Sequence, residues 1–128
     1  GGPKQPYLVR PSARGNLGHR GMFAAASLWS TWRDPEDEGV ALLTVAMVTT
    51  EATGPLSAIH HRMPLLLDEA EMEEWLDPEA GLPSWVASAR QSPEVEMIPV
   101  STRVNSVRNN DAALLDPISL EGSQDSLF

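Results

Sequence analysis

Residues 40–50 are the most strand-like stretch of the chain, β-branched and almost continuously apolar. Such a run predicts a strand, and it is long enough to lie at the centre of a sheet. Residues 21–32 form a second apolar run, rich in Ala and closing on Trp29 and Trp32, and read as a strand leading into a loop. A short strand is expected at residues 5–10, its Pro6 confined to the start or to an edge. Turn formers without periodicity fill residues 11–20, and residues 34–39 read as an exposed turn. Residues 51–58 are a polar connection holding Gly54-Pro55, and residues 59–64 lead into the apolar run 65–67. Asp68 is placed to cap a helix whose first turn is acidic and whose Met72, Trp75 and Leu76 share one face, with Asp77-Pro78 ending it. A second short helix is predicted over residues 83–90, and a loosely alternating strand over 95–104. Residues 103–115 are polar and Asn-rich, and 119–128 read as a loose terminus. Strands and helices neither alternate regularly nor repeat, which favours α+β over a doubly wound fold.

Composition narrows the classes. A chain of 128 residues, 41% of them hydrophobic, is sized for one domain with a real core. No apolar run approaches the roughly eighteen residues of a membrane span, so no membrane partner is expected. The absence of cysteine removes a disulfide framework, a zinc ribbon and a thiol nucleophile from these residues. It weakly favours a reducing compartment, and a cytoplasmic location is expected. The opening Gly1-Gly2-Pro3 holds neither an initiator Met nor a signal peptide, and the sequence is expected to be a fragment or a processed piece. A net charge of -9 argues against nonspecific nucleic-acid binding by the molecule as a whole. The distribution changes that picture: residues 1–33 carry Lys4, Arg10, Arg14, Arg20 and Arg33 and no acid, while acids cluster in 34–38 and 68–79.

Three histidines offer chemistry: His19 in a loop and the adjacent pair His60 and His61. Neighbours on an extended chain point to opposite faces, so the pair is poorly placed for one metal, and no metal or other cofactor is expected. A His beside an Arg suits acid–base work on an anionic ligand, since imidazole titrates near neutral pH and guanidinium forks onto phosphate. On the residues alone, a structural His60 and an Arg62 paired with the acidic helix is the stronger alternative. A Ser-His-Asp triad drawn from Ser27, Ser57 or Ser101 with His60 lacks a Gly-x-Ser-x-Gly elbow. Gly15, Gly18 and Gly21 lack the Lys-Ser/Thr sequel of a phosphate loop, which argues against a kinase, NTPase or Rossmann oxidoreductase. Trp29, Trp32, Trp75 and Trp85 are read as core residues before base-stacking ones.

Five motifs stand in a shared order: Lys4-Gln-Pro-Tyr7, Ala25-Ala-Ser-Leu-Trp29 with Trp32, Val48-Thr-Thr-Glu-Ala52, Ile59-His-His-Arg-Met-Pro64 with Glu74-Trp-Leu-Asp-Pro78, and Val104-Asn-Ser-Val107 with Asn110-Asp111. From about residue 3 to residue 118 the chain resembles the SOS response-associated peptidase (SRAP) family. The resemblance implies an α+β domain with a mixed, partly barrel-like sheet flanked by short helices. It implies that residues 1–118 are the C-terminal part of a single domain, followed by a tail at 119–128. The family forms a thiazolidine between an N-terminal cysteine and the ring-opened aldehyde of an abasic site in single-stranded DNA. That cysteine, and the Asn and Glu that assist it, lie upstream of the matching region. Carried over by motif position are His60 as the acid–base group, Arg62 as a phosphate ligand and Thr49 as a residue lining the site.

Two departures qualify the match. The family's usual Ala-Gly-Leu-Trp-Glu reads Ala-Ser27-Leu-Trp-Ser30 here, which puts any role of that acid in doubt. The loop between Val9 and Gly21 is long and basic, and Arg10, Arg14, His19 and Arg20 are expected to extend a phosphate track. The expected partners are single-stranded DNA with abasic sites and the N-terminal remainder of the domain, with the protein a monomer. Self-processing peptidase and lyase-like activities are implied for the full domain, these residues alone being inactive. A noncatalytic protein-interaction module and a true peptidase are the alternatives.

Overall fold

The computed structural model describes residues 4–13, 22–37, 39–90 and 92–120. The chain divides into two compact units, residues 11–94 and residues 1–10 with 95–128. Arg14, Arg20 and His19, most of the basic loop and most of the tail lie outside the described residues.

The larger unit is built on three extended stretches, each of which changes partner at a single residue. Ala26 separates β2 (Ala24–Ala25) from β3 (Ser27–Arg33), Val48 separates β4 (Ala41–Met47) from β5 (Thr49–Glu51), and Leu65 separates β6 (Arg62–Pro64) from β7 (Leu66–Leu67). The pairs β2–β7, β3–β4 and β5–β6 are all antiparallel. At their meeting point the hydrogen bonds run in a ring. Ala26 N–H donates to the Leu65 carbonyl, Leu65 N–H to that of Val48, and Val48 N–H to that of Ala26, each at 2.9 Å. Every amide at this crowded point is thereby satisfied, as buried backbone requires. Ala26 and Leu65 are essentially without solvent exposure, and a small residue suits position 26, where three strands converge. With Leu67 they form the core, on which Ala24, Val48, Met72, Trp75, Trp85 and Val86 pack. Complete burial of a side chain such as Leu65 contributes about 2 kcal/mol.

The strand predicted at the centre of a sheet is therefore divided at Val48, and β4 is exposed along its whole length. β3 and β4 pair with each other over seven residues, and among the described residues nothing covers either face. Trp29 and Trp32, read as core residues, are accordingly 74% and 45% exposed. The turn between these strands is as expected: Asp34 and Asp37 accept hydrogen bonds from the backbone N–H two residues on and reverse the chain.

Helix α1 (Glu69–Leu76) begins where Asp68 was read as its cap. Its start is a capping box, with Asp68 Oδ1 accepting from Glu71 N–H at 2.8 Å and Glu71 Oε2 accepting from Asp68 N–H at 3.1 Å. Met72 and Trp75 reach the core, but Leu76, assigned to the same face, is exposed at the helix's last residue. The helix predicted over 83–90 is a single 3₁₀ turn at Ser84–Ala87. Arg90 then folds back onto Glu71 in a bidentate pair of 2.6 and 2.8 Å, donates to the Leu66 carbonyl and lies over the Trp85 ring.

In the smaller unit β1 (Tyr7–Pro11) pairs with β8 (Val95–Pro99). Val100, 4% exposed, donates its N–H to the Pro6 carbonyl and accepts from Gln5 Nε2. Its bridge to Pro117 ends the strand well before residue 104. Two 3₁₀ turns, Thr102–Asn105 and Ala112–Leu115, follow. The α+β class thus stands in its coarser form, but the partly barrel-like sheet does not. The described strands associate two by two, and none of the four sheets closes on itself.

Candidate functional site

β5 and β6 place the site. Their register sets Thr49 opposite Pro64, Thr50 opposite Met63 and Glu51 opposite Arg62. Alternation along each strand turns Thr49, Glu51 and Arg62 to the outer face and leaves Met63 buried on the inner one. The connection between the strands is closed by Ala52 N–H donating to the His61 carbonyl at 3.0 Å. Within it, Gly54 adopts φ +57°, and a Cβ there would collide with the Ser92 side chain, so only glycine fits. Gly54–Ala58 then form a 3₁₀ turn anchored by Leu56, which is buried and whose carbonyl accepts from the N–H groups of Ile59 and His60. His60 is thus delivered to the entrance of β6, two residues before Arg62.

Arg62 does not pair with the acidic helix. Although Glu51 is its cross-strand neighbour, the guanidinium turns along the diagonal to Thr49. Nη2 donates to both the Thr49 carbonyl and Oγ1 at 2.7 Å, and Nε donates to Oγ1 at 3.2 Å. Among the described residues no carboxylate lies within ion-pair distance of it. Neutral oxygens fix the cation's direction, and no described residue pairs its charge or engages Nη1, which leaves that nitrogen for an incoming anion.

Backbone contacts orient His60. Its Nδ1 lies 3.0 Å from Arg62 N–H, from which it accepts in one tautomer, and 2.9 Å from the Arg62 carbonyl, to which it donates in the other. Either way no described residue hydrogen-bonds Nε2 of this exposed side chain, and it is left as donor or acceptor. The two imidazoles do not diverge as extended chain predicts. The chain bends at His61, and the rings stack with centroids 4.5 Å apart. No group of three or more metal-ligating side chains occurs among the described residues. Ser27, Ser57 and Ser101 are engaged with nearby backbone, at the Ala25 and Gly54 carbonyls and Arg103 N–H, and none bonds His60.

The structure therefore brings Thr49, His60 and Arg62 together, while Arg14 and Arg20 lie outside the described residues. A family model described as SOS response associated peptidase matches residues 1–107. The chain belongs to the SOS response associated peptidase family. Among SRAP relatives, it is 35% identical to the abasic site processing protein HMCES of Gallus gallus, covering 94% of this chain and 40% of that protein. It is likewise 35% identical to the abasic site processing protein YoqW of Bacillus subtilis, covering 74% of this chain and 43% of that one. The chain thus spans about two-fifths of the length of these relatives. A crystal structure of a protein from Bacteroides thetaiotaomicron shares the fold with a TM-score of 0.64 and 20% identity, over 90% of this chain and 54% of that one.

A second feature escaped the sequence reading. A cleft of about 420 Å³ is lined by Met63, Leu66, Asp68, Glu71, Trp85 and Arg90 among others. Met63 points inward from β6, so this cleft opens on the face away from Arg62. Hydrogen bonding from Arg90 holds the Glu71 carboxyl below its ordinary range, against an opposing desolvation, and Glu71 in turn raises Arg90. These groups satisfy each other and tie α1 to the chain after it.

Proposed function

We propose that this chain supplies the DNA-binding and acid–base face of an SRAP domain that captures abasic sites in single-stranded DNA. Arg62, braced by Thr49, seats a backbone phosphate, and Arg14 and Arg20 extend the phosphate track. His60 Nε2 gives a proton to the ring oxygen of the abasic sugar as the C1′–oxygen bond breaks and the C1′ hydroxyl loses its own proton to solvent to become the aldehyde, and both transfers reverse when the ring recloses. The N-terminal cysteine of the complete domain then reacts in two steps. Its amine condenses with the aldehyde, releasing water and forming an imine, and its thiolate adds to the imine carbon, whose nitrogen takes up a proton as the thiazolidine closes. The names of the HMCES and YoqW relatives support abasic sites as the target. The observation that carries the proposal is the Arg62 guanidinium, held outward by neutral oxygens beside an imidazole with an open Nε2. Peptide hydrolysis draws support from the family's name alone, since among the described residues no serine bonds His60.

The test is binding of single-stranded DNA by the complete protein, read by fluorescence anisotropy across a salt series. Arg62→Ala is expected to weaken binding and to lower the slope of log affinity against log salt by about 0.7, one phosphate's share on a single strand. An unchanged affinity and slope would overturn the phosphate role.

A further inference from the structure

The β3–β4 ribbon presents more apolar surface than a free element can. Cross-strand pairing puts Trp29 with Val45, Thr31 with Leu43 and Ser27 with Met47 on one face. Leu28 with Ala46 and Trp32 with Leu42 occupy the other. On the first face Trp29, Leu43, Val45 and Met47 are between 56% and 78% exposed, and on the second Leu28 and Leu42 are more than half exposed. Trp29, Leu43, Thr44 and Val45 line a shallow apolar depression. Among the described residues neither outer edge of the ribbon is paired with a strand over 27–33 or 41–47, and apart from the Ser27 carbonyl, which accepts from Trp75 Nε1, the outward backbone donors and acceptors are open. A ribbon apolar on both faces and open at both edges has the character of the inside of a larger sheet.

Charge and length say what belongs there. Arg33 is the ribbon's one basic residue, and the connecting turn carries Asp34, Glu36, Asp37 and Glu38, so a nucleic acid would meet repulsion. The Bacteroides structure gives the alternative a size: it matches 90% of this chain while only 54% of its own length is used. That protein holds nearly as much chain again outside the matched part. We propose that both faces and the open edges of the β3–β4 ribbon are the seat of that remaining part of the SRAP fold. The partner is a polypeptide surface of aliphatic and aromatic side chains that adds strands to the ribbon. This rests on the premise, shared with the proposed function, that the working domain is larger than these residues. The supporting outcome is read without DNA, so its failure is distinct from a failure of the phosphate role of Arg62.

Because the 128 residues contain no cysteine, single cysteines can report on the surface. In the complete protein, Leu43→Cys probes one face, Leu42→Cys the other, and Val107→Cys, at a position 99% exposed, sets the unprotected rate. Maleimide labelling is followed site by site by peptide mass spectrometry. Both ribbon cysteines are expected to react at least tenfold more slowly than the Val107 reference, independently of protein concentration. A smaller difference overturns the proposal. Protection that disappears on dilution would make a second copy the occupant, and protection that appears only with a single-stranded oligonucleotide would make it DNA; either also overturns it. Should a substitution unfold the protein, hydrogen exchange of the unsubstituted complete protein decides. Slow exchange throughout 27–33 and 41–47 upholds the proposal, and fast exchange at the edge-facing amides overturns it.

Discussion

Thr49 does for Arg62 what an acid would otherwise do, but without cancelling its charge. Both Oγ1 and the carbonyl accept from the guanidinium, so the hydroxyl fixes direction and leaves the cation available to an anion. Thr49→Val keeps the side chain's shape and removes Oγ1, a loss of about 1 kcal/mol. The expected result in the complete protein is a roughly fivefold weaker affinity for single-stranded DNA with an unchanged salt slope, read by anisotropy. That outcome separates positioning by Thr49 from the charge contact of Arg62. The histidines separate in a second way. Since His60 Nδ1 is tied to the Arg62 backbone and Nε2 is open, His60→Ala is expected to slow crosslinking to abasic single-stranded DNA at least tenfold, and to slow adduct reversal more. His61→Ala should change either rate less than twofold, although the rings stack. Time-resolved denaturing gels measure both, and equal effects would remove His60 from the mechanism. The motif positions of His60, Arg62 and Thr49 were legible in the sequence. The direction of Arg62 was not, because the choice between Thr49, Glu51 and the acidic helix depends on a strand register that no single segment encodes.

At the scale of elements, local signals read well and non-local ones poorly. The start of α1 was legible because a capping box is written within four residues, and Asp68→Ala is expected to cost about 1 kcal/mol, measured by denaturant unfolding of the complete protein. The interruption at Val48 was invisible, since a strand changes partner only when two other stretches arrive. Trp29 and Trp32 were misjudged for a related reason: apolarity predicts burial only where a covering layer exists, and here the described residues provide none. The Glu71–Arg90 pair, formed across nineteen residues, carries its own prediction. Glu71 binds its proton less readily in the folded chain than at its ordinary value of 4.5. Its contribution is therefore complete above about pH 4.5 and is lost as pH falls through the lower folded-state value. Acidifying from pH 5 to 3 is expected to lower the thermal midpoint less in Arg90→Met than in the unsubstituted protein. Circular dichroism melts at each pH check this.

For the molecule as a whole, the sign of the charge matters less than its placement, with no acid in residues 1–33 and eighteen acids in the rest. The partner-swapping ring at Ala26, Val48 and Leu65 has a consequence for how this arrangement is reached. Each of its three bonds joins a different pair of stretches, so two strands that meet first leave one donor and one acceptor without a mate until the third arrives. The entropy of closing both connecting loops must be met before the ring returns anything. Refolding should accordingly be a slow event, in milliseconds to seconds, with no stable two-stranded precursor. Stopped-flow fluorescence of Trp75 and Trp85, which report on the core beside the ring, should rise in one phase as three distant parts of the sequence lock in the same step.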